Sequence, residues 1–240
     1  MRSAINFFTL NSLDLDNNIL MKRLFKFFYN ARPLKPRYTT FWPVSQLLDM
    51  LKNWYPIDTL NLRELTLKVI ALIALSSSDR GQTLHLASLK NMVISDKKVD
   101  FVITDKVKST RKFLKPTIIS CISTNNEALD VSAHVKAYVE KTKNLRGSEE
   151  KLFISWKTFK SVTRQSLARW LTLVLKIAGI DTSIFKAHSY RGAGLSKAMN
   201  KSANISQIVA AGNWSSSATF NKFYHAPNVD SEVGQIILND

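Results

Sequence analysis

His188-Ser189-Tyr190-Arg191, followed by Trp214 and then by Phe223-Tyr224, brings an imidazole, a guanidinium, an indole N–H and a phenol into the last quarter of the chain. These groups can together make and break a phosphodiester through a phosphotyrosine: a phenol attacks, and cationic and neutral donors hold the charge that builds on phosphate oxygens. Each has a plainer reading. His188 and Arg191, three apart, share a helical face and can converge on one small anion, but such pairs also occur on ordinary surfaces. Trp214, between Gly212 and a serine run, reads equally as a core aromatic, and a lone tyrosine such as Tyr224 as packing. What singles the group out is order and spacing. Gly192 and Gly194, close behind Arg191, permit a close approach of the backbone to something bulky.

The charge balance points the same way. Lys and Arg number 34 against 18 Asp and Glu, a formal charge of +16 on 240 residues. Nucleic acid is the natural counter-ion, and binding through released cations would be strong, largely sequence-independent and steeply salt-dependent. A merely basic soluble protein, or one attracted to anionic membranes, is the alternative. The apolar share of 45% suits a globular domain. The single cysteine, Cys121, can form no internal disulfide, and the four histidines are scattered without zinc-ligand spacing. A reducing intracellular compartment, no metal and no small-molecule cofactor are expected. The longest apolar run, Val69 to Leu75, falls well short of the roughly 20 residues that span a bilayer, and the N-terminus lacks the features of a signal peptide.

The elements that must position these residues can be read from periodicity. Residues 12–29 carry Leu13, Leu20, Leu24, Phe27 and Phe28 among cations and predict an amphipathic helix. A basic, proline-rich linker, Arg32 to Tyr38, follows and marks a boundary, dividing the chain into a short segment, 1–38, and a main domain, 39–240. Val44, Leu47, Leu48 and Leu51 predict a helix with Pro43 in its first turn. A second opens at an Asn61/Glu64 capping box, runs through Val69 to Leu75 and is broken at Ser76 to Asp79, with a short helix from near Arg80. Three β-prone runs at 92–94, 99–103 and 113–119 predict a three-stranded antiparallel sheet. Its second turn holds Lys106, Lys108, Arg111, Lys112 and Lys115. Helices return at 129–142 and at 161–178, the latter capped by Ser161 and ended by Gly179. The fold class is mainly α with a small antiparallel sheet.

Taken together, the ordered set resembles the catalytic domain of the tyrosine recombinase (phage integrase) family over roughly residues 40 to 230. His188-Ser189-Tyr190-Arg191 matches the central box, Trp214 the His/Trp position and Tyr224 the nucleophile. The family's first arginine corresponds to Arg80, in Asp79-Arg80-Gly81-Gln82-Thr83-Leu84. Its hairpin lysine corresponds to Lys108, with Lys106 as the fallback. Pro36-Arg37-Tyr38, Phe41-Trp42-Pro43-Val44 and Gln82-Thr83-Leu84 are most similar to integrases of DIRS-like and Crypton-like eukaryotic mobile elements. Three departures stand out. Thr83 occupies a place where an acidic residue is common, Trp214 and Tyr224 are one position further apart than is usual, and the N-terminal segment is short for the family's helical DNA clamp.

The resemblance implies a mechanism. Arg80, Arg191, His188 and Trp214 would hold the scissile phosphate, Lys108 would protonate the leaving 5′ oxygen, and Tyr224 would form a 3′-phosphotyrosyl bond, without a metal. Arg37, Lys106, Arg111, Lys112 and Lys115 would contact double-stranded DNA. The last residues, with Val233, Ile236, Ile237 and Leu238, would dock on a neighbouring copy or fold back on their own core. A DNA-binding protein of this fold that no longer recombines, and a topoisomerase-like nicking and rejoining enzyme, remain open beside recombination. The expected location is the nucleus for a eukaryotic mobile element and the cytoplasm otherwise.

Overall fold

In a computed structural model of the chain, the described residues are 18–33, 36–105, 116–201, 203–212, 214 and 216–223. The chain divides into two compact units, Met1–Arg37 and Tyr38–Asp240. In the first, α1 spans Ile19–Ala31, and the Asn18 side chain caps it by accepting from the amides of Leu20 and Met21 at 2.9 and 3.1 Å. Ile19, Leu20, Leu24, Phe27 and Phe28 on this helix are exposed.

The second unit is built around one helix. Following α2 (Val44–Lys52), where Pro43 serves as the N-cap, α3 spans Leu62–Ser77. The capping box at its start is complete: Asn61 accepts from the Glu64 amide and Glu64 accepts from the Asn61 amide, both at 3.0 Å. Every residue from Leu65 to Ala74 is buried. A helix buried on all sides has no surface face and belongs at the centre of a domain. Around α3 pack α5 (Val131–Thr142), α6 (Arg164–Ile177), α7 (Ser189–Asn200) and the last strand of the sheet.

That sheet has three antiparallel strands in the order β1 (Met92–Ile94), β2 (Lys98–Ile103), β3 (Thr117–Ile122). Val99, Phe101 and Ile103 of β2 alternate inward and face Cys121, Ile119 and Thr117 across the ladder. β3 runs to Ile122, further than expected, and residues 113–115 lie outside the described ones. The mainly α class with a small antiparallel sheet is the architecture observed.

One expected cap is misplaced. The N-cap of α6 is Thr163, whose Oγ1 accepts from the Ser166 amide at 3.2 Å. Ser161 is held elsewhere, in a bridge to Ile154, with its amide and hydroxyl both donating to Glu149. Gly179 does terminate the helix, at φ +74°, a conformation that costs glycine least.

Lys68, inside α3, is fully buried, and its Nζ donates to the carbonyl of Trp54 beside the Tyr55 ring. Burial pushes its ammonium down to about 8. His134, also buried, faces it, held below its ordinary value by burial and by the Lys68 charge. The unfolded chain therefore holds the lysine proton up to its ordinary value while the fold releases it earlier, so stability should rise as pH climbs above about 8. Lys68→Met should remove that rise and stabilise the protein at neutral pH. Thermal melts across the interval check both.

Candidate active site

The break after α3 creates the site. Ser78 caps the helix in the left-handed region, φ 53°, and this turns the chain into Asp79 and Arg80 before α4 (Gly81–Leu86) begins. A serine in that conformation carries a cost that its surroundings must hold in place. Here the Ser78 carbonyl accepts from Nη1 of Arg191 at 3.1 Å, across 113 positions of sequence. Arg191 Nη2 donates to the carbonyl of Gly212, and its guanidinium carbon stands 4.5 Å from the centre of the Trp214 ring. Arg191 is only 3% exposed. The plane of its guanidinium is thus fixed by two main-chain acceptors and an indole face.

The four residues of the central box have four environments. His188 is the exposed N-cap of α7, and its ring lies 6.4 Å from that of Tyr38. Ser189 is buried and its Oγ accepts from Nε1 of Trp42 at 2.7 Å. Tyr190, 1% exposed, donates to the Leu171 carbonyl at 3.1 Å and packs edge-on against Trp42. Ser189 and Tyr190 therefore pin α7 to α6 and to the approach to α2, and Arg191 follows them into the site.

Both glycines behind the arginine have a bulky neighbour, and it is the protein itself. A Cβ on Gly192 would collide with the Phe41 ring, and one on Gly194 would lie 2.8 Å from the main-chain oxygen of Leu75. Gly194 lets α7 sit against the end of α3, near the Ser78 turn that Arg191 meets, and Gly192 leaves room for the Phe41 ring. Leu195 of α7, Ile208 of α8 (Ile205–Ala211) and Phe220 of α9 (Ser217–Phe223) form a second small core, against which Trp214 packs. The Trp214 amide donates to the Val209 carbonyl at 3.1 Å, holding the indole beside Arg191.

Asp79 and Arg80 follow Ser78 on the same turn. Arg80 is half-buried and is the N-cap of α4. Burial raises the Asp79 carboxyl to about 6, against the pull of Arg191, a hydrogen bond with Ser77, and Arg80. Thr83 is buried and uncharged. Periodicity and motif missed Ser78, Asp79 and the carbonyl of Gly212; the broken run Ser76-Ser77-Ser78-Asp79 is the one signal that bears on them.

Of the remaining expected site residues, Arg37 is exposed at the end of the first unit. Lys106, Lys108, Arg111, Lys112 and Lys115, in the β2–β3 connection, and Tyr224, the residue after α9, lie outside the described ones. Among the described residues no group of three or more His, Cys, Asp or Glu could hold a metal ion, and no helix is long and apolar enough to cross a membrane.

No family model matches this sequence, and no curated protein does. The fold is nonetheless similar to solved recombinases. XerH site-specific recombinase bound to palindromic difH substrate gives a TM-score of 0.63 at 15% identity, over 84% of this chain and 54% of that one. XerA recombinase gives 0.58 at 15% identity, over 92% and 74%. The Tn1549 transposon integrase in complex with transposon right end DNA gives 0.55 at 11%, over 87% and 68%. This chain spans about half the length of the XerH chain. At such identities the likeness is one of fold, and the fold is that of the tyrosine recombinase catalytic domain.

Proposed function

We propose that this chain cuts and rejoins double-stranded DNA as a site-specific recombinase. Tyr224 attacks a scissile phosphate: its phenol loses its proton to solvent as its oxygen bonds to phosphorus, the bond to the 5′ oxygen breaks, and Lys108 gives that oxygen a proton. The freed 5′ hydroxyl then attacks the phosphorus of a 3′-phosphotyrosyl bond on a partner strand, losing its proton as it joins the strands, and the tyrosine leaves and regains a proton. Arg80, Arg191, His188 and Trp214 hold the charge on the non-bridging oxygens. Arg37, Lys106, Arg111, Lys112 and Lys115 contact the flanking phosphates.

The observation that carries the reading is the clamp on Arg191. It brings a residue of the central box, the turn leading into Arg80, and Trp214 to one place from widely separated parts of the chain. Tyrosine burial supports the nucleophile. Tyr38, Tyr138 and Tyr190 are buried, the Tyr55 hydroxyl donates to Glu127 at 2.7 Å, and Tyr29, which is exposed, belongs to α1 in the first unit. Tyr224 follows directly after α9, whose Phe220 packs on Trp214. The motifs around Arg80 and Trp214 favour a DIRS-like or Crypton-like mobile element, hence action in the nucleus, with the cytoplasm as the site for any other source. The apolar tail favours self-association on DNA.

The test is a nicked suicide duplex, which loses its short 5′ product and traps the covalent complex. The parent chain should form a denaturant-resistant adduct. Tyr224→Phe should form none, while its duplex affinity at low salt stays near normal because no charge is lost. Equal adduct from both chains would remove Tyr224 from its role.

A further inference from the structure

The loop between Ile154 and Ser161, which pair in an antiparallel bridge, encloses with one face of α6 a cavity of about 550 Å³. That is an ordinary size for a small-ligand site. Trp156 of the loop and Trp170 of α6 both line it, stacked with ring centres 4.4 Å apart and planes at 30°. Trp156 is held further by the Arg63 guanidinium, whose carbon lies 5.9 Å from its ring centre. Three cations, Lys157, Lys160 and Arg169, line the same cavity, and among the described residues no acid does.

The loop is built to hold its shape. The Ser155 amide donates to the Lys160 carbonyl at 2.9 Å and the Phe159 amide to the Ser155 carbonyl at 2.8 Å. The Ser155 hydroxyl oxygen accepts from the amides of Lys157 and Thr158 at 3.2 and 3.3 Å. These bonds keep Phe159 at φ 56°, a left-handed conformation that a bulky residue rarely adopts. Backbone strain of this kind gathers at ligand sites. Lys160 is already paired, 3.7 Å from Glu149, which also takes the Ser161 donors. Among the described residues Lys157 and Arg169 have no acidic partner; both are exposed, and Arg169 Nη2 donates to the Ser166 hydroxyl at 3.3 Å. The cavity thus joins an aromatic platform to two cations without carboxylates, which suits a flat ring that carries a phosphate.

We propose that this cavity binds a nucleotide, its base stacked against the Trp156/Trp170 pair and its phosphate on Lys157 and Arg169. A base inside a duplex lies between its neighbours and cannot reach such a platform, so the ligand is a free nucleotide or an unpaired base of a strand. Neither source requires that the chain cut DNA.

The experiment is an NMR titration of the isotope-labelled full chain that follows the indole N–H signals of its five tryptophans. Those of Trp156 and Trp170 are assigned from Trp156→Phe and Trp170→Phe. Deoxyadenosine monophosphate should shift both and bind about tenfold more tightly than deoxyribose phosphate, which lacks the base, in keeping with the worth of one stacked base. Lys157→Gln with Arg169→Gln, at exposed positions, should weaken nucleotide binding about tenfold and leave the binding of deoxyadenosine, which has no phosphate, unchanged. Lys143→Gln with Lys176→Gln removes the same charge elsewhere and should leave nucleotide binding unchanged. A single-stranded tetranucleotide separates the two sources: shifts with the mononucleotide show that a free nucleotide suffices, and shifts with the tetranucleotide alone identify a strand. No shift with either would overturn the inference. So would equal affinity for the nucleotide and deoxyribose phosphate, which marks an anion patch only, or parent-like nucleotide binding by the Lys157/Arg169 variant. Movement of the Trp214 signal without those of Trp156 and Trp170 would put the nucleotide at the candidate active site and overturn it as well.

Discussion

Arg191→Lys should lower the rate of DNA strand cleavage by about two orders of magnitude or more, the scale at which one preorganised transition-state donor acts. The net charge is unchanged, so duplex affinity at low salt should fall little. The reason is geometric. Arg191 is a planar fork fixed by the Ser78 and Gly212 carbonyls and the Trp214 face, whereas an ammonium is a single point on a flexible stem and cannot reproduce that plane. The substitution should also lower the melting temperature, since each buried carbonyl left without a donor costs about 1–3 kcal/mol. Cleavage must therefore be measured well below the variant's melting point and alongside binding. Parent-like cleavage by a folded Arg191→Lys would show that the guanidinium holds the fold and not the phosphate.

Lys108→Ala should also lower cleavage about a hundredfold or more, as loss of a general acid does, but through the leaving group. A substrate whose bridging 5′ oxygen is replaced by sulfur needs no proton on departure, so on it much of the lost rate should return. Arg191→Lys should gain far less from the same substrate, because its deficit lies on the non-bridging oxygens. Rescue of both alike would remove the general-acid role from Lys108. Rescue of neither would pass the role to Lys106, two positions earlier on the connection between Ile103 and Thr117.

The sequence was most readable where one local rule acted alone. The Asn61/Glu64 box and the unbroken apolar run behind it define α3, because a helix buried on every side needs both a start signal and no polar face. The three β-prone runs marked the sheet in the same local way. The cap of α6 was not readable, since Ser161 and Thr163 are chemically alike and only the pairing of Ser161 with Glu149 and Ile154 separates them. Tertiary partners with no residue signature stayed hidden as well. Arg191 is held by two backbone carbonyls, which any residue could supply. Gly192 and Gly194 signalled a close approach, and the structure supplies its object: the Phe41 ring and the Leu75 carbonyl, both within the protein. The chain order of the expected site residues was plain, whereas the turn at Ser78 that meets Arg191 depends on a left-handed serine.

The claim at the centre of this account is that Tyr224 carries the DNA strand. The most direct measurement is to trap the adduct on a nicked duplex, digest it with protease and nuclease, and identify by mass spectrometry the peptide that retains a nucleotide. One modified peptide is expected, containing Tyr224 and joined to the 3′ phosphate of the cut strand. A nucleotide on any other tyrosine, or a linkage to a 5′ phosphate, would contradict it.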